Sequence, residues 1–132
     1  NNDGLIFFAQ NSQANLDALR NWWGSTDAAI IAAGIVGVMD GGGNTNGSID
    51  FSTILTSGID IDGVAPGFQP DTSSLSVHTF GGEPATDSRI QNAIDMLDDS
   101  GTLFIQSGIY TGNVDTTSTG IDKSVTLAPG NS

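Results

Sequence analysis

The chain has 132 residues, enough for one domain or two very small ones; only 37% are apolar and 18 are glycine, so a large independent core is not expected. Three basic residues against fifteen acidic ones give a formal charge of −12, which repels nucleic acid and anionic membrane surfaces and argues against both as partners. Without cysteine there is no disulfide or thiolate chemistry, and no apolar run approaches the roughly eighteen residues that a membrane-spanning helix needs.

Residues 4–9, Gly-Leu-Ile-Phe-Phe-Ala, form a continuous apolar run too short for a helix and aromatic enough for a strand. Residues 11–15 read as a turn, and 16–20 alternate apolar with polar like a half-buried strand. Trp22 and Trp23 are adjacent, so in an extended segment they face opposite ways. Packing is one role for them, and stacking against a sugar ring is the other. Ser25 is placed to cap a short apolar helix over 27–33, with Asp27 in its first turn and Gly34 as its stop; that helix is expected to lie over an open strand edge.

A glycine-rich loop follows, with Asp40, Asn44, Asn46 and Asp50 at intervals of 4, 2 and 4. Oxygen ligands of this kind suit Ca2+, but the spacing and the missing closing Glu depart from an EF-hand, so a solvated turn is the competing explanation. Residues 49–55 read as one strand. Residues 57–72 are rich in turn signals, with Asp60 and Asp62 suited to Asx-turns. Residues 75–79 alternate as a strand, and His78, the only histidine, is expected on its solvated polar face.

Ile90, Ala93, Ile94 and Leu97 fall at i, i+3, i+4 and i+7, one stripe of a helix over 87–98 with Asp87 as N-cap. Three short segments follow: a strand over 101–105, a corner over 107–114 and a strand over 123–130. The apolar runs are too short for independent hairpins and fit a coil of short strands.

A capped helix, a Gly-Thr-apolar strand, the Gly108-Ile109-Tyr110-Thr111-Gly112-Asn113-Val114 corner and Lys123-Ser124-Val125-Thr126-Leu127 together resemble the start of secreted right-handed parallel β-helix proteins of the pectate-lyase-like superfamily. Asn21-Trp22-Trp23-Gly24-Ser25 and the stretch 47–55 resemble the segment where such β-helices finish. The resemblance implies a mainly β fold with two short helices and helix-capped, solenoid-like parallel rungs. It divides the chain into an ending segment over 1–56, a linker over 57–74 and a starting segment over 75–132. It also implies export to the cell surface or extracellular matrix.

The enzymes of that superfamily use basic catalytic residues or acidic pairs. Here Arg20, Arg89 and Lys123 are scattered, and Asp98-Asp99 at a helix end is explained by a solvated turn. No Gly-x-Ser-x-Gly surrounds any serine, so no enzyme and no required cofactor are expected. The expected function is structural. The ending segment precedes the starting one, so Leu5, Ile6, Phe7 and Phe8 of one copy are expected to pair with Val125 and Leu127 of another, giving a head-to-tail homopolymer. The alternatives are a piece of a longer protein, for which the absent initiating Met speaks, and a carbohydrate-binding or carbohydrate-processing fragment using Trp22 or Trp23.

Overall fold

The computed structural model of the chain describes residues 16–34, 49–79, 88–114 and 124–130. Its centre is a four-stranded mixed sheet in the order β3 (Thr53–Leu55), β4 (Ser74–Val77), β5 (Thr102–Ile105), β6 (Thr126–Pro129). The first pair is antiparallel and the other two are parallel. With two helices beside it, the described fold is mainly β, as the turn-rich composition requires.

Register aligns Leu55 with Leu75, Leu75 with Leu103 and Leu103 with Leu127, so one leucine row crosses all four strands. The first three are fully buried, whereas Leu127 is 52% exposed. Helix α2 (Arg89–Met96) covers the buried part of the row with Ala93 and Ile94, joined by Leu97 just beyond its end. This is the apolar stripe expected from the sequence, and each leucine or isoleucine in it removed from water contributes about 1.5–3 kcal/mol. The N-cap position belongs to Ser88, whose left-handed backbone (φ 65°) donates from N to Thr111 O at 2.8 Å without a side-chain cap bond. Asp87 lies outside the described residues. Tyr110 secures the expected corner over 107–114: its hydroxyl is 2.9 Å from Gln106 O and 3.1 Å from Val77 O, and its single proton serves one carbonyl at a time.

The opposite face has its own core. Ile54 alternates with Leu55 along β3, and with Ile49, Phe51 and Ala18 it packs on Ala28 and Ile31 of α1 (Ala28–Gly34). Asp27 is the cap of α1, because its Oδ1 accepts from Ala29 N at 2.9 Å and Ile30 N at 3.2 Å; Ser25 sits one step earlier, accepting from Asp27 N at 3.0 Å. The expected Ser25 cap is thus displaced by two residues. A carboxylate at that position meets the exposed amides directly and complements the helix dipole.

The expected strand over 49–55 is broken in two, because Asp50 Oδ1 accepts from both the amide (3.1 Å) and the hydroxyl (2.7 Å) of Ser52 and bends the chain. Before the bend, β2 (Ile49–Asp50) pairs in parallel with β1 (Leu16–Asp17), which is all that remains of the strand expected over 16–20. Beyond β1, Arg20 N donates to Thr53 O and Leu55 N to Asn21 O. The outer edge of β3 is therefore covered by residues 20 and 21 rather than by α1.

Leu103→Ala is expected to cost about 3 kcal/mol, a cavity in a close-packed layer, whereas Leu127→Ala in dilute protein should cost about 1 kcal/mol or less. Urea unfolding of the two variants checks the register. Equal losses would contradict it.

Candidate functional site

At the far side of the sheet, Thr126 N donates to Gly101 O at 2.9 Å and Gly130 N to Ile105 O at 2.7 Å. Even-numbered residues of β6 therefore face β5, and Leu127 and Pro129 turn their backbone groups outward. This outer edge has no partner among the described residues. Pro129 is accommodated there because its missing N–H would have pointed away from the sheet in any case. Around it the edge offers the N–H and C=O of Leu127 and the C=O of Pro129. Of the residues expected to serve assembly, Val125 packs half-buried on the α2 cluster and Leu127 stands half-exposed at the end of the leucine row. Leu5, Ile6, Phe7 and Phe8 lie outside the described residues.

The tryptophans pack on different cores, Trp22 on the α2 cluster and Trp23 on the α1 cluster, where it meets Phe51 edge-on with ring centroids 6.2 Å apart. Trp22 lies flat against Gly58, where an added Cβ would stand 2.3 Å from Trp22 Cδ1. Both indoles are half-buried. His78 departs from expectation: it is 2% exposed, with its ring centroid 4.8 Å from that of Phe51. The bond from His78 N to Ser52 O at 3.0 Å continues the antiparallel register of β4 with β3, so His78 keeps the strand alternation and lies on the face of Ser76 and Ile54, which is covered by the core of Phe51 and Ile54 instead of by solvent. Arg89, read as an isolated charge, is buried and donates from Nη1 to His78 O at 3.0 Å.

Of the four candidate calcium ligands, Asp40, Asn44 and Asn46 lie outside the described residues, and Asp50 closes the turn to Ser52. Among the described residues no three carboxylates, histidines or cysteines come together. Asp60 and Asp62 form Asx-turns, Asp60 Oδ1 accepting from Asp62 N and Gln69 N, and Asp62 Oδ1 from Val64 N and Ala65 N. The excursion they fold carries exposed Ile59, Ile61, Val64 and Phe68, with Val64 95% exposed. Asp98 accepts from Thr72 Oγ1 at 2.8 Å and Asp99 from Ser124 N at 2.9 Å, so this pair fastens neighbouring turns.

One cleft of ≈ 210 Å³ opens among Thr26, Thr56, Ser76, Phe104, Gln106 and Pro129. Gln106 is 7% exposed, and its Nε2 donates to Thr26 O at 2.6 Å and Ser76 Oγ at 3.1 Å. Sequence reasoning missed this cleft, because the alternation of Ser76 and Phe104 marks an outward face but not the register that sets them side by side. No family model, no curated protein and no solved structure matches the chain.

Gly58→Ala should cost about 1–3 kcal/mol and shift tryptophan emission, since Trp22 must move to admit the methyl group; thermal melts and fluorescence check it, and an unchanged protein would place the indole elsewhere. Asp71 accepts from Ser73 Oγ at 2.6 Å and Ser73 N at 3.0 Å, and these bonds, the hydroxyl first, hold its carboxyl below the usual range. A carboxyl lowered in the folded state adds stability above its ordinary pKa, and that stability is lost as pH falls through the folded value. In an NMR titration Asp71 should protonate at lower pH than an ordinary Asp, and Ser73→Ala should move it back up.

Proposed function

We propose that the chain is a non-catalytic structural module of an exported, β-helix-like surface or matrix protein, whose role is to continue a stack of short strands and to assemble head-to-tail into filaments. The observation that carries this reading is the leucine row: buried at Leu55, Leu75 and Leu103, it ends half-exposed at Leu127 on a strand whose outer edge has no partner among the described residues. In solenoid proteins each repeat buries its apolar face against its neighbour, and the last one needs either a cap or another repeat. Three parallel strands in register, β4, β5 and β6, are the pattern that a further strand extends.

The apolar segment containing Leu5, Ile6, Phe7 and Phe8 of a second copy is the proposed partner strand. It adds backbone hydrogen bonds at Leu127 and apolar cover over its side chain. Such a contact joins two different surfaces and propagates without closing. Pro129 limits the ladder at one end and so discourages a longer, slipped pairing. The charge of −12 on each copy opposes contact, so assembly should strengthen as salt shortens the Debye length to ~10 Å at about 0.1 M.

Light scattering and electron microscopy of the intact chain at rising salt should show filaments, absent after deletion of residues 1–9 and in Leu127→Asp. Leu127→Asp should lower the monomer's melting temperature by only a few degrees, because its side chain is already half in water. A monodisperse monomer at high concentration and salt would refute self-assembly.

A further inference from the structure

The cleft lies on the Phe104 side of the sheet, and by strand alternation this is the face opposite Leu103 and the leucine row. Its hydrogen-bonding groups are partly unmatched. The Thr26 carbonyl can only accept, so the amide of Gln106 must present Nε2 to it, and Ser76 Oγ takes the second N–H. Gln106 Oε1 then accepts nothing among the described residues, although the side chain is more than nine-tenths buried. The oxygen is not among the buried side-chain atoms left without a partner, so it stays open to a ligand or water that donates to it. Ser76 Oγ, already accepting from Gln106, retains its own proton for donation, and Thr26 Oγ1 forms no hydrogen bond among the described residues.

A ligand that fills the cleft would therefore need to donate to Gln106 Oε1 and to accept from Ser76 or Thr26, beside an aromatic wall. Hydroxyl groups meet both needs at once; carboxylates and phosphates only accept, and ammonium groups only donate. Phe104 is half-buried, and with Pro129 it offers an apolar surface suited to the C–H face of a sugar ring. No lining side chain is charged, and the chain's charge of −12 repels anionic ligands. A volume of ≈ 210 Å³ is below the roughly 300 Å³ at which drug-sized pockets begin, which suits a single ring.

We propose that this cleft is a binding site for one residue of a neutral saccharide, with Gln106 Oε1 as acceptor, Ser76 and Thr26 as donors and Phe104 as stacking wall. The site is separate from the tryptophan pair; it adjoins the β6 edge at Pro129, but its polar groups come from Thr26, Ser76 and Gln106 and do not depend on filament formation.

The test is an NMR titration of the 132-residue chain carrying Leu127→Asp, which keeps association from obscuring the spectra. Neutral oligosaccharides of gluco, galacto, manno and xylo configuration are compared with oligogalacturonate. At least one neutral sugar should shift the amides of Ser76, Phe104 and Gln106 at ~10 mM, consistent with a millimolar Kd. Phe104→Ala and Thr26→Val should each weaken binding about five-fold. Thr26→Val, which breaks no described hydrogen bond, should leave the melting temperature unchanged. Shifts confined to the indoles of Trp22 and Trp23, equal binding of oligogalacturonate, or no shift with any neutral sugar at that concentration would each overturn the proposal.

Discussion

Everything in the described fold depends on the in-register pairing of β4 with β5. It sets Leu75 against Leu103 to make the floor on which Ala93, Ile94 and Leu97 rest, and on the other face it sets Ser76 beside Phe104 to make the cleft. Because side chains alternate, a slip of one residue would turn the leucines to the wrong face and destroy both surfaces together. Parallel pairing of four-residue strands is weak by itself, so the register is held by the apolar layer above it. The sheet and helix α2 are thus mutually dependent.

Around this centre, polar side chains set the ends of elements rather than forming a reactive cluster. Asp50 bends the chain between β2 and β3, Asp27 starts α1, and Asp60 and Asp62 shape the excursion between β3 and β4. An aspartate-rich chain with almost no basic partners uses its carboxylates as acceptors for backbone N–H groups, which explains how so many acidic residues fit a small fold. Arg89 follows the same logic in reverse, its buried guanidinium meeting the carbonyl of His78 across the top of the sheet.

Helix α2 was legible because a 3.6-residue stripe over Ile90, Ala93, Ile94 and Leu97 has few other solutions. The Asx-turns at Asp60 and Asp62 were legible because the side chain and the amides it binds are close in sequence. What escaped was long-range. His78 was read from β-strand alternation, which its backbone bond to Ser52 continues, but the face it shares with Ser76 is buried against Phe51 instead of solvated. The cleft draws on Thr26, Thr56, Ser76, Gln106 and Pro129, brought together by sheet order that no local pattern encodes. The turn-rich segment over 57–74, read as a linker, joins β3 to β4, which pair directly, and exposes Val64. Of the expected assembly surface, Val125 and Leu127 stand at the open side of the sheet, while Leu5, Ile6, Phe7 and Phe8 lie outside the described residues.

The central claim is that the edge of β6 is completed by another copy of the chain. Amide hydrogen exchange at Leu127, followed over a range of protein concentrations, tests it most directly, because this N–H points out of the sheet. In dilute solution it should exchange as an open edge, and protection should rise with concentration while the Leu103 amide, inside the sheet, stays protected throughout. Protection of Leu127 that is the same at every concentration, whether high or absent, would contradict the account.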